Sequence, residues 1–123
     1  MIYNLLSSIK IKKGKKSVNV LVRKTGFFSK GFGLMFRTKN TKNLLFEFNK
    51  DVNKLGTLTS YFVFSPFLAV WLDKNNKVVD ARLIKPFVLS IPQKKSFRKI
   101  VEVPVNVKNK NIIKFFVGKS RKI

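Results

Sequence analysis

The chain contains neither cysteine nor histidine in its 123 residues. Without cysteine there are no disulfides, no thiol nucleophiles and no thiolate-bound metals. Without histidine the chain lacks the side chain whose ordinary pKa lies nearest neutrality, and the commonest metal ligand. Acids are scarce too, with five Asp and Glu against 27 Lys and Arg. Acid–base chemistry would fall to those carboxylates, two tyrosines or a lysine of lowered pKa. Of the carboxylates, Asp73 reads as a turn former and Asp80 as the neutraliser of a cross-strand lysine, rather than as a catalytic pair. The expectation is a non-enzymatic chain with no metal and no cofactor. Long apolar runs are also missing. The longest, from Leu58 to Leu72, is broken at Thr59, Ser60, Ser65 and Pro66 and falls short of the roughly 20 residues a membrane helix needs. Met1 to Ile11 lacks the basic start and small-residue cleavage site of a secretion signal. The expected location is the cytoplasm; the alternative for this segment is a surface anchor, with Leu5, Leu6 and Ile9 in lipid.

What the chain has in abundance is positive charge, a formal +22. Such a field attracts nucleic acid, anionic lipid or acidic proteins. Most of the basic residues are lysine, accompanied by many Asn, Ile and Phe, the set that AT-rich codons encode. A reader of base sequence would lean more on arginine for bidentate contacts. Two readings therefore stand: weak, sequence-independent nucleic-acid or ribosome binding, with Lys12, Lys13, Lys15, Lys16, Lys94 and Lys95 as candidates, or a solvated surface set by codon usage. The length suits one domain, expected as a basic arm over 1–16, a β-domain over 17–118 and a basic tail over 119–123.

Ser17 to Lys24 alternates, with Val18, Val20 and Val22 on one face, and predicts a first strand. Leu44 to Phe48 predicts another, with Glu47 embedded. The almost unbroken apolar character of Leu58 to Leu72, with no polar alternation, predicts two short strands buried on both faces and bent at Pro66. Asp73 to Asn76 carries turn-capping side chains that tolerate positive φ, so it should close a hairpin to a strand over Lys77 to Lys85. Phe87 to Ile91, Arg98 to Val103 and Ile112 to Val117 read as the remaining strands, with Pro104 suiting an edge or a strand end. Glycines 26, 31 and 33 among apolar residues predict a short helix or compact turn near residues 25–36, and any helix is expected there. Gly31-x-Gly33 lacks the third glycine and the Lys-Ser/Thr pair of a phosphate loop. The fold class expected is mainly β, an antiparallel sandwich or a partly closed barrel.

At Gly33-Leu34-Met35-Phe36-Arg37 the chain resembles domain of unknown function family 192, in its compact archaeal-type form. The resemblance continues through Leu44 to Phe48, Phe62 to Pro66, Trp71-Leu72-Asp73, Val78-Val79-Asp80, Lys85 to Phe87 and Val101 to Pro104. It implies a barrel-like β-sandwich and no established activity. Thr59-Ser60 stands where relatives tend to carry His-Thr or Asn-Thr, and Leu68 where many carry aspartate, which weakens any inherited binding site. Arg37 and Glu102, charged residues among apolar neighbours, are expected to pair with each other or meet an anion. With Thr59 and Ser60 they form the candidate ligand pocket. Trp71, Tyr61, Phe62 and Phe64 lie in the most apolar run and read as core rather than as base-stacking platforms. The leading reading is a binding or interaction module of unnamed ligand; a nucleic-acid binder and a small-ligand pocket or enzyme are the alternatives.

Overall fold

The computed structural model describes residues 6–24, 42–52, 65–86 and 93–118. Six strands, β1 (Leu6–Lys13), β2 (Lys16–Lys24), β3 (Leu44–Val52), β4 (Phe67–Leu72), β5 (Val78–Ile84) and β6 (Phe97–Pro104), form one sheet in the order β1-β2-β3-β6-β4-β5. Neighbours run antiparallel, except that β2 and β3 are parallel. The sheet curls until its two edges touch: the Lys12 amide donates to the Asn76 carbonyl at 2.9 Å, and Lys12 bridges to Lys77. The result is the mainly β, partly closed barrel that the alternating and doubly apolar segments predict.

Both faces are packed. The inner face gathers Ile9 and Ile11 from β1, Val20 and Val22 from β2, Leu68, Val70 and Leu72 from β4, and Val101 and Val103 from β6. The helix α1 (Lys110–Val117) packs into the same cluster through Ile113 and Phe116. Burying these two side chains contributes roughly 1.5–3 kcal/mol each. The outer face gathers Leu44, Phe46, Phe67, Ala69, Trp71 and Ile100. Every residue of β4 is buried, which is why its sequence shows no polar alternation.

Two local expectations need correcting. Lys12 to Lys16 is not part of an arm but the turn of a hairpin, with Lys13 paired to Lys16 and Gly14 at φ 63. Glycine at the first central position of a two-residue loop is what a type II′ turn requires, and Ile9 and Ile11 supply the alternation that makes β1 a strand. The second correction is at the C-terminal end, where residues 112–117 belong to α1 rather than to a strand. A short apolar run does not distinguish the two by periodicity. The flanks decide it: the Asn106 side chain accepts from the Asn109 amide at 2.9 Å and starts a 3-10 turn (Val107–Asn109), and Gly118 at φ 84 ends the helix. A helix therefore lies outside the neighbourhood of residues 25–36, which is itself outside the described residues. Of the two places that suit Pro104, the structure selects the strand end, since β6 lies inside the sheet between β3 and β4. The expected strand over 87–91 also lies outside the described residues.

The Asp73 turn forms as predicted. Asp73 Oδ1 accepts from the amides of Asn75 at 2.8 Å and Lys77 at 2.9 Å, and Asn76 adopts φ 66.

Candidate functional site

Glu102 sits in the middle of the outer face, paired to Leu44 on β3 and to Ala69 on β4. It is fully buried, and among the described residues neither carboxyl oxygen has a hydrogen-bond partner. Burial pushes its carboxyl well above the ordinary carboxylate range, because a charge without a partner is poorly solvated there. Ala69 is also paired to Arg82 on β5, so Glu102, Ala69 and Arg82 stand abreast on one face of the sheet. The Arg82 guanidinium lies 4.5 Å from the Trp71 ring centroid, and its Nε donates to Asp80 Oδ2 at 3.2 Å.

Asp80 is held from several sides. Gln93 Nε2 donates to Oδ2 at 2.9 Å and the Ala81 amide to Oδ1 at 2.9 Å. Burial alone would raise its pKa, but Gln93, Arg82, Ala81 and Lys95 together outweigh it and hold the carboxyl below its ordinary value. Its ion-pair partner is thus Arg82 on its own strand, in place of the expected cross-strand lysine. An anion so fully engaged is a poor general base. Among the described residues no group of His, Cys, Asp or Glu could hold a metal ion. Trp71 is buried, as core. Arg37, Thr59, Ser60, Tyr61, Phe62 and Phe64 lie outside the described residues.

The lysines show a different pattern. The bond between Lys12 and Asn76 brings the β1–β2 turn, with Lys12, Lys13, Lys15 and Lys16, beside the β4–β5 turn, with Lys74 and Lys77. Lys95 reaches β5, its Nζ 3.4 Å from the Val79 carbonyl, with Lys94 next to it. All of these side chains are exposed. The five acids are engaged otherwise: Glu47 with Lys24 at 3.0 Å, Asp51 with Arg98 at 3.1 Å, Asp80 with Arg82, Asp73 with the amides of its own turn, and Glu102 buried. Among the described residues none forms an ion pair with the lysines of this seam. Lys13 is partly committed, donating to the carbonyls of Phe115 at 3.0 Å and Phe116 at 3.3 Å at the end of α1. Sequence reasoning missed Lys74 and Lys77, because only closure of the barrel places them beside the first hairpin.

No family model matches the chain, and no curated protein matches it. The fold is similar to a solved structure from Sinorhizobium meliloti 1021 described as a "putative transcription regulator", with a TM-score of 0.68 and 12% identity over 91% of this chain and 89% of that one. At that identity the likeness concerns the fold. Among the described residues no helix is long and apolar enough to cross a membrane.

Proposed function

We propose that the chain is a non-enzymatic binding module that holds nucleic acid, without sequence preference, on the lysine seam. The observation that carries this reading is the gathering of Lys12, Lys13, Lys15, Lys16, Lys74 and Lys77 where the barrel edges meet, with no acid among the described residues paired to any of them. Lysines of this kind release counterions from phosphates and make few base contacts. Among the described residues the largest aromatics, Trp71, Phe46 and Phe67, are fully buried and offer no stacking platform, and on this reading salt dependence should account for nearly all of the binding energy. The name of the Sinorhizobium protein is compatible with a nucleic-acid partner and adds nothing more.

The test is fluorescence anisotropy of a labelled DNA duplex titrated at several salt concentrations. Replacing Lys12, Lys13, Lys15 and Lys16 by glutamine should flatten the log–log salt slope by about 0.9 for each phosphate that these lysines neutralise. Replacing Lys85, Lys108 and Lys110 should change it little. Equal effects from both sets would reject the seam, and tight sequence-selective binding at physiological salt would reject the electrostatic account.

A second reading rests on Glu102. A buried carboxyl without a partner among the described residues, beside Ala69 and Arg82, suits a small ligand held on the outer face, with Arg37, Thr59 and Ser60 as the further candidates. Membership of family 192 is likewise a proposal, supported by the order of the segments that resemble it.

A further inference from the structure

β2 pairs with β3 only at Arg23 and Lys24. Earlier in β2, the side turned away from β1 has no strand neighbour among the described residues. The direction of its main-chain groups follows from two bonds: the Arg23 amide donates to the Asn43 carbonyl at 2.8 Å, and Asn43 Nδ2 donates to the Leu21 carbonyl at 3.0 Å. Alternate residues of a strand point the same way, so the amide and carbonyl of Asn19 and the amide of Leu21 face that open side too. A cleft of about 500 Å³ runs along it, lined by Asn19, Leu21, Lys42, Asn43, Lys108 and Ile112 among others. The large hydrophobic residues that stand exposed among the described residues gather here: Leu6 at 42% and Leu21 at 57% line the cleft, and Val107 at 87% follows Asn106 on its wall.

We infer that this cleft takes an extended peptide segment of a partner protein, apolar and acidic in alternation, which adds as a strand to the edge of β2 that has no strand neighbour among the described residues. Main-chain bonds to Asn19 and Leu21 would supply the pairing, and Leu21 and Ile112 the apolar contact. The charged side chains that line the cleft, Lys42 and Lys108, are of one sign, which selects an acidic occupant. A second copy of this chain, at +22, would be repelled. The cleft shares no lining residue with the lysine seam.

The probe is an end-capped, fluorescein-labelled peptide alternating valine and glutamate, followed by anisotropy at physiological salt. Binding should protect the Asn19 and Leu21 amides from hydrogen exchange. A peptide with proline at alternate positions, unable to donate to the edge, should bind at least about tenfold more weakly, and Asn19→Pro should have the same effect by removing an edge donor that β1 does not use. Should Asn19→Pro fail to fold, Leu21→Asp, at an exposed position, should weaken binding as much by repelling the acidic peptide. The glutamine variants of Lys12 to Lys16 should leave peptide binding unchanged. Equal binding of the proline peptide, or no protection at Asn19 and Leu21, would overturn the inference.

Discussion

Replacing Glu102 by glutamine tests the outer face most directly. The folded-state pKa of Glu102 is raised above its ordinary value of 4.5 by burial. Below that value the group is protonated in both the folded and the unfolded chain and adds no pH dependence to stability. Above it the unfolded chain releases the proton while the folded chain keeps it, so stability falls as pH rises, by up to about 1.4 kcal/mol per pH unit. The fall levels off above the folded-state pKa. Glu102→Gln keeps the shape and removes the titration, so the variant should match the parent at low pH and become progressively more stable than it toward neutrality. Urea unfolding of both proteins at a series of pH values measures the difference directly. A direct Arg37–Glu102 pair makes the opposite forecast: Glu102→Gln would then cost several kcal/mol at neutral pH, as breaking a buried pair does. Parallel stability curves for the two proteins would refute the buried, titrating acid.

Asp73→Ala removes two hydrogen bonds to the turn amides and should cost about 1–2 kcal/mol, read from chemical denaturation. Gly14→Ala should cost about 1 kcal/mol because φ is 63, although nothing lies within 4 Å of the added Cβ; Asn76→Gly, at φ 66, relieves the backbone but removes the Oδ1 that accepts from Lys99 Nζ, and should cost about 1 kcal/mol net. Asp80→Asn should lower stability at neutral pH and abolish a contribution that, in the parent, is present above pH 3.8 and fades as pH falls through the lowered folded-state value.

The β-rich class was legible because alternation in β2 and the doubly apolar β4 report burial directly, and because Asp73 to Asn76 carries turn chemistry in its side chains. α1 was not legible: Ile112 to Val117 is too short for its period to decide, and the cap that starts the helical segment is Asn106, a residue type that suits a turn as well as a helix start. The lysine seam was half legible. Lys12 to Lys16 stood out as a run, but Lys74 and Lys77 join them only through the bond between Lys12 and Asn76, residues far apart in sequence.

The same closure explains why the charge concentrates there. Curling the sheet brings together two turns, and turns hold the exposed polar residues that strands with buried faces do not accept. In a chain with 27 basic residues and five acidic ones, those turn residues are mostly lysine, and the acids are already engaged with Lys24, Arg98, Arg82, the Asp73 turn and the core. Codon usage can supply the lysines, but the fold decides where they meet. A polyanion that bridges the two turns would offset their mutual repulsion and hold the seam shut, so binding should raise the melting temperature of the parent more than that of the Lys12 to Lys16 glutamine variant. An equal rise in both would show that the anion binds away from the seam.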